Sequence, residues 1–321
     1  MSAIPKNISE LEKSIINTLI YYDVFNHPLS YEELRKSTIH FKIASDHQFG
    51  KAISNLKSLG YIRERKEFYM LNGKDWAVDS RLSEQKRVNR YFKIAAISSR
   101  IIASFPYVRG VFISGALSKS RVEEKGDIDF FIVTEAGKLW ISRTMLVLFK
   151  KVFLFNSFRF FCLNYFVDEN SLETPHKNLY TATDVVTVIP FFNPKIYRRF
   201  IRSNAWACAY YPNYPLRGTP VEINPYSLLV KTTLEKLFRN RLGKLLDTWL
   251  MNLTLNYRRK KFQKLPEKKF LKAFITEKHI STHHPNDFQE GVLKAFFQKQ
   301  EHFEKQYRLI LRDKLPARSG G

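Results

Sequence analysis

The chain has 321 residues, enough for a large core and, by length, for two or three domains. Lys and Arg outnumber Asp and Glu by 53 to 30, a formal charge of +23 that calls for a polyanionic partner: DNA, RNA, an anionic membrane surface or free nucleotide. The N-terminal residues lack a basic region followed by an apolar core, and the most apolar stretch, Ile141 to Val167, is cut by Lys150, Lys151 and Arg159. A secretory signal and a transmembrane segment are therefore not expected, and Cys162 and Cys208, each among apolar or aromatic neighbours, read as buried thiols of a reducing, cytoplasmic compartment.

Residues 1–78 carry two capping boxes, Ser9-x-x-Glu12 and Ser30-x-x-Glu33, each opening a helix. A third helix is predicted near His47 to Leu59, ending at Gly60, and the runs Tyr61-Ile62-Arg63 and Phe68 to Leu71 predict two strands joined by a charged turn. Three helices followed by a basic hairpin resemble a winged helix-turn-helix domain. That resemblance implies that the third helix presents Lys51, Ser54, Asn55 and Lys57 to a duplex, with the hairpin as wing. Docking of a protein partner suits the same fold equally well.

An amphipathic helix is expected over residues 80–104, linking this region to a core that extends to residue 220. In the core, Val111, Phe112 and Ile113 form a short apolar strand, and Ser114-Gly115 ends it where a small residue lets backbone approach a ligand. A helix opening there would leave N–H groups free near Ala116 to Ser118, favourable to a phosphate. Gly126 then precedes Asp127-Ile128-Asp129, the start of a strand whose period of two puts both carboxylates on one face. Such a pair repels unless a cation lies between its members, and Mg²⁺ or Mn²⁺ takes one or two carboxylates together with water and substrate phosphates.

A Gly turn, a short helix and an Asp-x-Asp strand twelve residues on resemble the core motif of the polymerase-beta-like nucleotidyltransferase superfamily, in particular its small bacterial members. The resemblance covers residues 100–170. It implies an α+β fold with a mixed sheet, Asp127 and Asp129 as catalytic metal ligands, and Ser114, Gly115, Ser118 and Lys119 beside a nucleoside triphosphate substrate. The position after the turn Gly, often Ser in that family, is Ala116, so Ser118 is expected to supply the hydroxyl contact. The third carboxylate of the family belongs on a later strand, predicted here over Arg159 to Val167 after an apolar helix from Lys138 to Phe155. Period two puts Cys162, Asn164, Phe166 and Asp168 on one face, so either Asn164 takes the third-acid place beside the nucleotide or Asp168 reaches the site as a catalytic acid. Asn164 would be a weaker ligand for a hard cation. Asp184, before the run Val185 to Ile189, is either a further acid or a helix cap.

Pro190 to Pro220 mark an irregular region holding an aromatic helix from Ile196 to Tyr211, and a helical C-terminal domain is expected over residues 221–321. Its run Arg258-Arg259-Lys260-Lys261 reads as a solvated basic face, with nucleic-acid contact through Arg258 and Arg259 as the second option. His279, His283 and His284 lack companions at zinc spacing. Two functions compete: a Mg²⁺-dependent transferase moving a nucleoside monophosphate from an NTP to an acceptor hydroxyl, and a weakly active or inactive nucleotide-sensing DNA-binding regulator.

Overall fold

The computed structural model describes residues 8–155, 159–215, 225–226, 228–283 and 288–311. In chain order the elements are α1 (Glu10–Asp23), β1 (Leu29–Ser30), α2 (Tyr31–Ser37), α3 (Asp46–Ser58), β2 (Ile62–Arg65), β3 (Phe68–Leu71), α4 (Asp75–Ala103) and β4 (Val108–Ile113). They continue with β5 (Asp129–Thr134), α5 (Leu139–Phe153), β6 (Cys162–Asp168), α6 (Leu179–Thr187), β7 (Ile189–Phe192), α7 (Pro194–Ser203) and α8 (Ala207–Tyr210). The last are α9 (Leu228–Leu237), α10 (Arg241–Lys261), α11 (Glu267–Ala273), β8 (Ile280–Thr282) and α12 (Phe288–Tyr307). The chain is thus mixed α+β with two sheets.

It divides into two compact units, and the boundary falls inside α4. One joins Met1–Leu82, Trp206–Pro215 and Gln289–Gly321; the other joins Ser83–Ala205 and Leu216–Phe288. The three consecutive blocks expected from sequence are not how the contacts divide: the last helix belongs with the first 82 residues, while α9 to α11 belong with the central sheet. Sequence pattern shows that α12 is amphipathic but not which core it completes.

In the first unit both capping boxes form as their spacing predicts, Ser9 with Glu12 and Ser30 with Glu33. The helices pack on a three-stranded antiparallel sheet of order β1-β3-β2. Phe296 and Phe303 of α12 meet Tyr21 and Tyr61 edge-on, and Lys299 pairs with Asp23 at 2.7 Å. The two-residue β1 was not foreseen, being too short to carry a period.

The second unit is built on a five-stranded mixed sheet of order β7-β4-β5-β6-β8, in which only β5 and β6 run parallel, joined by the crossover through α5. Both of its faces are covered, which is why β4 and β5 read as nearly continuous apolar runs. On one face Val111, Ile113, Phe130, Ile132 and Phe166 pack with Tyr91 of α4 and with Leu139, Trp140 and Leu146 of α5. On the other, the rings of Phe112, Phe131 and Tyr165 stack in a row, with Phe200 of α7 against Phe131. Each such ring pair is worth about 0.5–1.5 kcal/mol beyond its burial. The strand β8 lies where a loop before the last helix was expected; three residues give no periodic signal, and only pairing with β6 makes Ile280–Thr282 a strand. The aromatic helix is two pieces, α7 and α8, and the buried side chain of Asn204, which ends α7, accepts from Thr174 and donates to Leu172 O and Phe200 O.

Candidate active site

The parallel pairing of β5 with β6 sets Asp129 opposite Cys162, and the register shifts by one residue before Phe131 meets Tyr165. Through this bulge two consecutive residues of β6 serve the same face: Asn164 donates Nδ2–H to Asp129 Oδ1 at 2.6 Å, and Tyr165 stacks on Phe131. The period-two expectation for β6 therefore holds only as far as Asn164. Phe166 moves to the opposite face, into the main core, and Asp168 goes with it.

Asp168 does not reach the site. It pairs with Thr134 at the far end of the strand, is fully buried, and its carboxylate is held by His279 and by the Asn170 N–H. Asn164 is the residue beside the Asp pair, in contact with Asp129. His283 packs its ring near Phe274, and His284 lies outside the described residues.

Asp127, Asp129 and Cys162 each offer a ligand atom within 4.8 Å of the other two, in order of increasing burial. The loop before them is anchored below: Tyr91 donates its hydroxyl to Gly126 O, and Arg159 donates to Tyr91 and to Glu124 O. Ile128, between the two acids, is fully buried in the core, as alternation requires. Burial first, and then the neighbouring Asp127 carboxylate, push the Asp129 carboxyl up to about 7; the Asn164 amide opposes the shift. Burial and the same two carboxylates also raise the Cys162 thiol, which stays protonated. Of the two expected buried thiols, Cys162 is buried and Cys208 is exposed.

The turn at Ser114-Gly115 lies directly on Asp129. Ser114 donates its N–H to Asp129 O at 3.0 Å, and Gly115 has φ +65°. A Cβ at Gly115 would stand 2.1 Å from Asp129 Oδ2, so a side chain here would take a disfavoured backbone conformation and push the Asp129 carboxylate aside. The helix expected after this turn is one 3₁₀ turn, Leu117–Lys119, ended by Ser120 in the left-handed region. It is too short to present a helix dipole to a phosphate. Ser118, the expected hydroxyl contact, is fully buried and donates to Gly115 O at 2.9 Å. The Ser114 hydroxyl turns to the Asp129 backbone carbonyl, Oγ to O 3.4 Å.

Lys119 is at the rim, its Nζ 3.0 Å from Gly115 O and 2.7 Å from Asp184 Oδ1. Asp184 is not a cap, because Asn178 caps α6. It stands instead at mid-helix, close enough to act on Asp129, and its charge, more than burial, raises the Tyr180 hydroxyl above the usual range. Tyr180 is the member of this site that sequence reasoning missed, although its spacing to Asp184 on α6 was a usable signal. Cys162 stands on the face of β6 that period two assigned it, beside the Asp pair, but had not been proposed as a ligand.

The nucleic-acid candidates lie elsewhere. Lys51 and Asn55 are exposed on α3, but Asn55 donates to Glu12 at 2.6 Å and Lys57 pairs with Glu64 at 2.5 Å. The hairpin cations Arg63, Arg65 and Lys66 pair with Asp75 and Asp79. Arg259 is exposed and lies 3.6 Å from Glu267. Arg258, by contrast, is buried; it donates to Ile275 O, Thr276 Oγ1 and Ser281 Oγ, and its guanidinium lies over the Phe274 ring. It is a structural cation, misread because the basic run hides which face of α10 turns inward. Arg258→Met should leave those acceptors unsatisfied and lower stability by about 2–4 kcal/mol in urea unfolding, with no specific loss of nucleic-acid binding.

No family model, no characterised protein and no solved structure matches the chain. Among the described residues, no helix is long and apolar enough to cross a membrane.

Proposed function

We propose that the cleft at Asp127 and Asp129 binds a nucleoside triphosphate together with a divalent cation, as in the nucleotidyltransferases, and transfers its nucleotidyl group to an acceptor hydroxyl. The observation that carries this is the paired carboxylates, one of them proton-prone, pressed against a glycine turn of positive φ in which a side chain would displace Asp129. Two carboxylate oxygens suit Mg²⁺ or Mn²⁺, whereas the protonated Cys162 sulfur suits neither, so Asp127 and Asp129 would hold the ion. When bound, the ion neutralises triphosphate charge and acidifies the attacking hydroxyl. In the transfer itself the acceptor hydroxyl gives up its proton to solvent, its oxygen bonds to the α-phosphorus, the bond to the bridging oxygen breaks, and pyrophosphate leaves with the electron pair. Gly115 allows backbone to lie beside the phosphates, and Asn164 orients Asp129. Lys119 sits at the rim with its charge shared by Asp184.

A specific observation favours the sensor as a second reading. Where a third carboxylate would be expected Asp129 meets the amide of Asn164, and Asp184 is paired with Lys119. Incubation with each α-labelled NTP and Mg²⁺ separates the two. Label on protein, RNA or a small acceptor with pyrophosphate release, lost in Asp127→Asn, supports the transferase; saturable binding without release supports the sensor. Absence of both overturns the nucleotide site.

For the first unit we propose a winged-helix role in binding duplex nucleic acid, supported by its helix order, the hairpin and exposed Lys51 on α3. Binding should weaken steeply with salt, because each neutralised phosphate releases counterion, and Lys51→Ala should reduce the slope of log K against log salt by about 1. A slope identical in the variant would exclude α3 from the interface.

A further inference from the structure

Helix α10 leaves an apolar stripe open to solvent. Leu242, Leu245, Trp249, Leu253 and Tyr257 recur every three or four residues, and each is more than half exposed. The helix cannot roll to hide them. Asp247 on its inner face accepts the N–H groups of Trp140 and Ile141 at the start of α5, both at 2.9 Å, and Leu250 and Met251 pack on the main core. Alongside, α5 exposes Leu148, Val152 and Phe153. Lys151 of α5 lies 5.9 Å from the Tyr257 ring centroid, which joins the two stripes into one face.

The charges around this face have one sign. Across α5 and α10 the sole carboxylate is Asp247, and it is buried; Arg241, Lys244, Arg259, Lys260 and Lys261 are exposed. Among the described residues, Arg259 lies 3.6 Å from Glu267 of α11. A sugar-phosphate backbone would match the cations and leave five aliphatic side chains wet. A second copy would bring basic residues against basic residues, in a chain of charge +23. An anionic lipid bilayer satisfies both halves: acyl chains take Leu and Val, Trp and Tyr lie at the headgroup level, and Lys and Arg meet lipid phosphates.

We propose that the α5–α10 face binds an anionic membrane surface, with α10 lying in the interfacial plane over its length of about 30 Å. Each Lys or Arg at such a surface contributes roughly fivefold to partitioning, and the insertion of apolar side chains adds to this. The test is co-sedimentation of the full chain with vesicles of phosphatidylcholine alone or with about one third phosphatidylglycerol, at low and high salt. The expected result is binding to the anionic vesicles at least roughly tenfold stronger than to neutral ones, lost in the variant Leu245→Asp/Leu253→Asp and weakened in Lys260→Glu/Lys261→Glu. Both leucines are exposed, so the variant should retain its circular dichroism.

Three outcomes would overturn the proposal. One is no sedimentation with anionic vesicles at low salt. Another is undiminished binding by the Leu245→Asp/Leu253→Asp variant, which would mean that charge acts through some other surface. The third is a dimer in sedimentation velocity, without lipid, that the same variant dissociates, which would make the face a self-association surface.

Discussion

Replacing Asp129 by Asn is expected to abolish cation-dependent nucleotide binding and, at the same time, to stabilise the metal-free protein at pH 8. The two effects have one origin. Asp129 is held among buried groups, beside the Asp127 carboxylate, and its carboxyl is pushed up to about 7. The unfolded chain releases this proton near the ordinary Asp value of about 3.9, so between those limits the folded state binds the extra proton. Stability at this residue is therefore full below about pH 4, falls as pH rises toward 7, and stays low above it. Asn has no charge to desolvate and can still accept from Asn164. Chemical denaturation at pH 8 should show the variant more stable by about 1–3 kcal/mol, with the gap closing toward pH 4. Nucleotide binding should fall by orders of magnitude because one of two carboxylates is gone. A variant that loses stability equally at both pH values would show that Asp129 serves packing and not a site.

The second large effect is expected at Gly115. Alanine there must adopt φ +65°, at a cost of about 1–2 kcal/mol, and its Cβ must displace the Asp129 carboxylate that stands 2.1 Å away. The strain of that displacement adds about 1–3 kcal/mol. Gly137 supplies the internal control: its φ is +69°, but nothing lies within 4 Å of a Cβ. Gly137→Ala should therefore show the backbone cost alone, about 1–2 kcal/mol in thermal or urea unfolding, with nucleotide binding intact. Gly115→Ala should lose more stability and roughly a hundredfold or more in cation-dependent nucleotide affinity. Equal behaviour of the two variants would remove the contact with Asp129 from the argument.

Features written in local sequence were legible. Ser9, Glu12, Ser30 and Glu33 announce their helices because a capping box is complete within four residues. Gly115 and the Asp-x-Asp pair announce their meeting because the turn, the loop and the strand start are consecutive. What could not be read depends on partners far along the chain. The bulge in β6, which moves Asp168 off the site face, arises from pairing with β5, some 30 residues earlier. The inward turn of Ser118 follows from a single 3₁₀ turn where a short helix was expected, and the burial of Arg258 from the rotation that Asp247 imposes on α10. The assignment of α12 to the first unit rests on aromatic contacts with Tyr21 and Tyr61, over 200 residues away in sequence.

The central claim, that Asp127 and Asp129 jointly hold a divalent cation with a nucleoside triphosphate, is tested most directly by calorimetric titration of Mn²⁺ with a non-hydrolysable NTP. The full chain should be titrated at pH 6 and pH 8 beside Asp127→Asn. The expected result is one-to-one binding at pH 8 and weaker binding at pH 6, by up to about tenfold, because the ion must displace the Asp129 proton below about 7. In Asp127→Asn the binding should disappear. Equal affinity in the variant, or no saturable binding by the full chain at pH 8, would contradict the claim.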